Sequence, residues 1–293
     1  MIFFFQILIS GIAVGGVYAL VGLGLVLIYK STGVLNIAQG AVVMMMAFII
    51  YCLSVQAGLP FLLAILISLL LAMLLGFLVE RLCLRPMIGQ PLFSTIMMTI
   101  GIMLILQSIP VMIWGTSLKA YPKFLPDQSY NIGGVLISPD YLWGFVISMV
   151  LFSAFVLYFR YSRAGIVMRA VADHQMAAQS MGVNISRVSG IAWAFSCLVA
   201  AVGGVVLATI TSVGVFLGPI GLKAWPAVII GGLDSIPGAL IGGIIVGVLE
   251  GLSGGYLENV FMGIKDVAPY AILLVILLIK PYGLFGLERI ERI

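Results

Sequence analysis

From Phe4 to Ile28 the chain reads FFQILISGIAVGGVYALVGLGLVLI, with no charge anywhere in it. A hydrocarbon core of roughly 30 Å takes about 20 apolar residues of helix, and this run exceeds that length. Comparable stretches recur near 34–54, 60–79, 94–114, 141–159, 188–213, 216–233, 236–252 and 268–279. They are continuous rather than alternating, which selects helices over a barrel. Only 8% of the residues are charged and the mean hydropathy is +1.27, too little polar surface for a water-soluble globule of 293 residues. The sequence therefore predicts an all-α, polytopic transmembrane bundle of about eight to nine spans. Two spans are irregular: 216–233 holds two prolines and Lys223, which suits a broken or partly re-entrant helix, and 268–279 is short and extends upstream.

Charge sets the orientation. With the N-terminus outside, the inner loops and tail carry Lys30, Arg81, Arg85, Arg160, Arg163, Arg169, Arg187, Lys280, Arg289 and Arg292. The outer loops carry Lys119, Lys123 and Lys265, and Lys223 falls within a span. That asymmetry places the C-terminus in the cytoplasm. The net charge of +4 thus reports topology and not an affinity for nucleic acid. The start, MIFFFQILIS, lacks a basic stretch and a small-residue cleavage site, so it reads as a retained span. A single transmembrane domain over 1–293 accounts for the chain, with one polar cytoplasmic segment at 160–187. The outer loop Gly115–Asp140 reads as an ordered cap or a docking surface.

The polar segment, RYSRAGIVMRAVADHQMAAQSMGVNISRV from Arg160, holds four basic residues and the only histidine. Its spacing predicts one short helix with Val171, Ala178, Met181 and Gly182 on a broad face and a stop at Gly182. It is either a plain connector or a surface that docks into another protein, since small residues permit close approach.

Here a resemblance bears on the choice. MAAQSMG is similar to the Ala-Ala, three-residue gap, Gly core of the coupling loop in permease subunits of ATP-binding cassette importers, at Ala177, Ala178 and Gly182, with Met176 where glutamate is usual. GVLNIAQGAVVMMMAF resembles a segment of branched-chain amino acid permeases, matching at Asn36, Ala38, Gln39 and Gly40, with Ile37 in place of phenylalanine. TIMMTIGIMLILQ and AVIIGGLDSIPGALIGGIIVGVLE are similar to two further runs of that family, and the matches run in order from residue 11 to about 285. The resemblance implies the first permease subunit of a high-affinity branched-chain amino acid importer in a bacterial inner membrane. It also implies a second permease subunit, two cytoplasmic ATPases that hold ATP and magnesium, and a periplasmic solute-binding protein. Under it Arg163, Arg169, Asp173, Ala177, Ala178 and Gly182 are expected at the ATPase-coupling surface.

In the spans, Asn36 and Gln39, with Gly40 beside them, sit near the inner end of the second apolar run. They either line a wet pathway or join helices by hydrogen bonds. Thr95 and Thr99 are further pathway candidates, unless their hydroxyls bond their own helix. Gly243, Gly247 and Gly251 recur at every fourth position and favour close helix packing. Glu250 is either solvated near the outer surface or paired, and is the one acidic candidate for ion coupling. Asp234 is a loop carboxylate, free or held by Arg169. No catalytic residues are expected: the chain has no phosphate-binding Gly-x-x-x-x-Gly-Lys-Ser/Thr loop, and no cofactor or metal is expected on it, the three cysteines lacking ligand spacing. The alternative function is a stand-alone channel or secondary transporter for a small neutral solute such as urea or an amide.

Overall fold

The computed structural model describes residues 2–122, 130–132 and 135–286. Lys123, Arg289 and Arg292 of the charge argument lie outside the described residues. Helix α1 spans Ile2–Thr32. Helix α2, Gln39–Tyr51, runs on through a π-helical turn at Cys52–Gln56, and α3, Phe61–Val79, through one at Glu80–Leu84 and a short 3₁₀ turn at Arg85–Met87. Helix α4 covers Leu92–Trp114. A small antiparallel hairpin follows, β1 Tyr130–Ile132 paired with β2 Val135–Ile137. Then come α5 Pro139–Tyr161, α6 Arg163–Asp173, α7 Gln175–Ser180 and α8 Ile185–Thr211. The chain continues with α9 Leu217–Leu222, α10 Ala224–Gly231, α11 Ile236–Tyr256 and α12 Ile264–Ile279. Among the described residues, seven helical runs are long and apolar enough to cross a membrane.

The helices differ in how they use their apolar surface. Helices α1 and α8 are apolar all round and buried along most of their length, the pattern of central helices. Helix α3 buries Ala64, Ser68, Ala72 and Gly76, one residue per turn, while Leu62, Leu66, Leu70 and Leu74 point outward. Its small-residue stripe lets α8 come close: a Cβ on Gly76 would stand 2.4 Å from the Trp193 carbonyl oxygen.

The tightest crossing joins α1 to α11. A Cβ on Gly15 would stand 2.7 Å from the Gly243 carbonyl oxygen, one on Gly243 would meet Ala19, and one on Gly247 would meet the backbone of Gly11 and Gly15. Gly251 sits less tightly against Ile7. The glycine stripe of α11 therefore packs within this chain, with backbone against backbone.

Ends sort by charge. One end gathers Lys30, Arg81, Arg85, Arg160, Arg163, Arg169, Arg187 and Lys280, at the C-terminal ends of α1, α3, α5 and α12 and in the segments after them; we call it the basic end. At the other end lie Lys119 and Lys265. There Lys119 and Val213 exchange backbone hydrogen bonds, and the Tyr121 hydroxyl donates to the Ala47 carbonyl at 2.9 Å. Burial pushes the Tyr121 phenol's pKa well up, so it remains a donor.

Three expectations change. The second apolar run is not helical from residue 34: Gly33 takes a positive φ of 69°, Asn36 Oδ1 accepts from Ala38 N in a local turn, and α2 starts only at Gln39. Gln39 bonds Ser196, eleven residues into α8, so α2 begins roughly 16 Å along that helix and not near its inner end. The polar segment is two helices, broken at His174, whose extended backbone (φ −148°, ψ 94°) interrupts the expected single one. The 216–233 span is broken at Lys223 into α9 and α10, and runs from the Lys119 end to the basic end. Helix α12 begins at Ile264, upstream of residue 268, as its shortness suggested.

Because no side chain fits between α1 and α11, Gly247→Leu should destabilise the chain by about 1–3 kcal/mol or prevent its folding. Denaturant unfolding of the detergent-purified protein checks this; wild-type stability would mean the crossing is loose.

Candidate functional site

Four groups of polar residues interrupt the apolar bundle. The first surrounds the start of α2. Gln39 is fully buried: its Oε1 accepts from Asn36 Nδ2 at 2.9 Å and from Ser196 Oγ at 3.1 Å, and its Nε2 donates to the Ser196 carbonyl at 3.3 Å. A Cβ on Gly40 would stand 2.4 Å from the Gly218 carbonyl oxygen, so α9 seats directly on this turn. Thr99 reaches the carbonyls of Leu35 and Ile96. In this conformation Asn36, Gln39 and Thr99 tie helices together around a break in the backbone, the only setting in which irregular backbone is tolerated at membrane depth. Of the alternatives open in the sequence, the helix-to-helix hydrogen bond is the one seen here.

Thr95 belongs to a second group. It lines a cavity of about 270 Å³ at the basic end, between the C-terminal end of α1, the end of α3, and the starts of α4 and α8. Glu80 and Trp193 also line it. Glu80 is completely buried, with Oε2 bonded to Arg85 at 3.0 Å, while its Oε1 and the Trp193 Nε1 have no hydrogen-bond partner among the described residues. Nothing in the sequence pattern singles out this carboxylate, which follows the last apolar residue of its run and precedes Arg81. The helix continues past it and presses it against α8, near Gly190. Glu250 is therefore not the sole buried-segment acid.

The third group resolves the status of Glu250 and Lys223. The Lys223 ammonium, almost fully buried, donates to Glu250 Oε1 at 2.5 Å and to Asp266 Oδ1 at 2.7 Å, and the buried Tyr18 hydroxyl donates to Glu250 Oε2 at 2.7 Å. Glu250 is thus paired and not simply solvated. Asp266, half exposed, lets solvent carry the excess negative charge. The signal for this pairing was present in the sequence as two isolated charges of opposite sign inside apolar spans. Among the described residues no three of His, Cys, Asp and Glu gather closely enough for a metal ion.

The fourth group is the helical pair α6–α7 at the basic end. Ser162 caps α6, accepting from Gly165 N. Arg169 turns back and donates to the carbonyls of Phe159 (2.7 Å) and Arg160 (3.1 Å) at the end of α5. It is thus not available to Asp234, which lines a separate cleft with Tyr29 and Tyr282. Gly182, at φ +82°, closes α7 in a Schellman motif, with Gly182 N bonded to Gln179 O and Val183 N to Ala178 O. Asn184 then caps α8 by accepting from Arg187 N. The single broad face does not form: Val171 and Ala178 are buried, whereas Met181 and Gly182 face outward. Arg163, Asp173, His174 and Ala177 are exposed, and Met176 and Met181 are 82% and 85% accessible. Gly182 is needed for its left-handed backbone, since among the described residues nothing lies within 4 Å of where its side chain would start.

A bundle of seven membrane-length helices among the described residues, with backbone breaks before α2 and between α9 and α10 and a capped helical pair strapped to two spans, defines a multi-pass helical membrane protein. The family model for branched-chain amino acid transport system / permease component matches residues 7–279. The chain belongs to that family. It is 30% identical to the high-affinity branched-chain amino acid transport system permease protein LivH of Salmonella typhimurium, over 100% of this chain and 98% of that protein. The permease protein BraD of Pseudomonas aeruginosa is 29% identical over 99% and 98%, and a probable LivH of Methanocaldococcus jannaschii 28% over 97% and 93%. Among solved structures, PsaBC from Streptococcus pneumoniae in complex with Fab matches with a TM-score of 0.50, covering 96% of this chain and 92% of that one. At 15% identity this is a likeness of fold.

Lys223→Met strands Glu250 in the bundle and should cost about 2–3 kcal/mol, less than a fully buried pair because Glu250 keeps some exposure. Lys223→Met/Glu250→Gln should recover part of that loss in a denaturant-unfolding cycle. Losses in Lys223→Met and Glu250→Gln that simply add up to the loss in the double variant would mean the pair is not coupled.

Proposed function

We propose that this chain is the membrane-spanning permease subunit of an ATP-binding cassette importer for branched-chain amino acids or closely related small solutes. It sits in the inner membrane of a bacterial cell with the N-terminus outside and the basic end in the cytoplasm, in keeping with the charge asymmetry. The observation that carries this reading is the α6–α7 pair, seen in a chain whose family match spans nearly its whole length. Met176 and Met181, both largely accessible, give the pair an apolar, deformable knob at the basic end. A soluble surface gains nothing from such side chains, whereas a groove on a cytoplasmic ATPase would bury them.

In this reading two ATPases hold ATP and magnesium. A periplasmic protein delivers solute to the Lys119 end, and a second permease subunit, a different chain, completes the pathway. The residues Arg163, Asp173, Ala177, Ala178 and Gly182 form or support the coupling surface. Arg169 acts through position, holding α6 on α5, so it contributes without touching the ATPase. Asn36, Gln39, Gly40 and Thr99 act at the hinge where α2 begins, and Thr95 faces the pathway. Nucleotide-driven movement needs contacts that differ between two states, which closure of an ATPase pair supplies.

Two measurements test this. Purification through a tag from the native membrane, with mass spectrometry of what accompanies the chain, should recover a cassette ATPase and a second permease. Recovery of this chain alone under crosslinking would favour a stand-alone transporter. Met176→Asp/Met181→Asp should abolish ATPase copurification and solute uptake while leaving membrane insertion intact, and normal uptake would remove the pair from the interface.

A further inference from the structure

We propose that the cavity between α3, α4 and α8 at the basic end is a subsite for a zwitterionic head group, an ammonium together with a carboxylate; this rests on the permease reading above. The argument starts from hydrogen bonds left unmade. Buried polar side-chain atoms nearly always have partners, yet two residues of this cavity's wall break the rule in complementary ways. Glu80 Oε1, as a carboxylate oxygen, accepts, Trp193 Nε1 can only donate, and both are buried without a partner among the described residues. Arg85 Nε, also buried and without a partner among the described residues, belongs to the residue that bonds Glu80 and not to the cavity's lining. One ligand satisfies the Glu80 and Trp193 atoms when it brings both a donor and an acceptor.

Charge then narrows the class. The Arg85 bond fixes the Glu80 carboxylate in place through Oε2 and leaves Oε1 for a cationic donor, a stronger partner than a neutral amide. The orphan donor on Trp193 bonds a carboxylate more strongly than a carbonyl for the same reason. The hydroxyls of Thr95 and Ser189 add polar surface, and Leu84, Ile88 and Leu92 supply an apolar side that suits a short aliphatic chain. A volume of about 270 Å³ admits a solute of this size. In the present conformation the orphan atoms are sealed behind the wall. Occupancy therefore requires α3 and α8 to part, which is the kind of movement an alternating-access cycle provides.

The test uses the full transporter with Cys52, Cys83 and Cys197 replaced by serine and Ser189→Cys introduced. Inside-out vesicles are treated with a membrane-impermeant maleimide through the nucleotide cycle, in the presence of leucine, 3-methylbutylamine, 4-methylpentanoate or 3-methylbutanamide. Leucine should slow labelling in a concentration-dependent way, and the amine, acid and amide should not at equal concentration. Glu80→Gln should weaken protection by leucine about tenfold, each variant being compared with its own labelling rate without solute. Trp193→Phe, which removes only the Nε1 donor, should weaken it too and serves if the Glu80 variant fails to assemble. Equal protection by the acid or the amide, protection indifferent to both variants, or a cysteine that is never labelled in any nucleotide state would each overturn the subsite. ATP-driven leucine uptake without protection would overturn it and leave the permease reading standing. Loss of all ATP-driven uptake in the parent transporter would count against that reading itself.

Discussion

Where α1 crosses α11, peptide backbone rests on peptide backbone, and most of the bundle is arranged around that contact. In lipid there is no hydrophobic gain when two apolar helices meet, so association rests on close packing and on whatever polar bonds the approach permits. Gly11, Gly15, Gly243 and Gly247 give α1 and α11 that closeness. With α11 against one side, α8 packed through Gly203 and Val21 on another, and α10 against Gly22, α1 is enclosed along nearly its full length. The outer helices α3, α4 and α5 then need only a narrow inward stripe and can give their leucines and methionines to lipid.

That enclosure is also what makes the interruptions tolerable. The break before Gln39 and the break at Lys223 expose backbone that would be unsupportable against hydrocarbon, and each is held by side chains from helices already fixed in place. Ser196 of α8 meets Gln39, while Tyr18 of α1 meets Glu250 and so steadies the partner of Lys223. The two breaks touch through Gly40 and Gly221, whose close approach leaves room for nothing larger. Polar groups in this protein therefore sit at joints and not along continuous helix faces.

Much of this was legible in the sequence, because length and apolarity alone dictate spanning helices and the spacing of Gly243, Gly247 and Gly251 dictates a smooth face. The helix stop at Gly182 was legible for the same local reason, since few residues adopt a left-handed backbone. What escaped was whatever depends on depth. Gln39 looked peripheral because it lies close in sequence to Lys30, yet an extended segment carries it far into the bundle. Glu80 escaped because a π-helical turn that continues α3 leaves no mark in composition. The break at His174 escaped for a different reason: its flanks have helical spacing on both sides, and only the backbone angle of one residue separates them.

The joined caps between α7 and α8 have a mechanical meaning. Gly182 ends one helix and Asn184 begins the next with a single residue between them, while Arg169 lashes the other arm to the end of α5. A segment built this way has no slack. Any load applied at Met176 or Met181 reaches α8 as torque before a loop can absorb it, and α8 is among the most enclosed helices of the bundle. It is enclosed by its neighbours, so a load arriving there would bear on the helices packed around it as well.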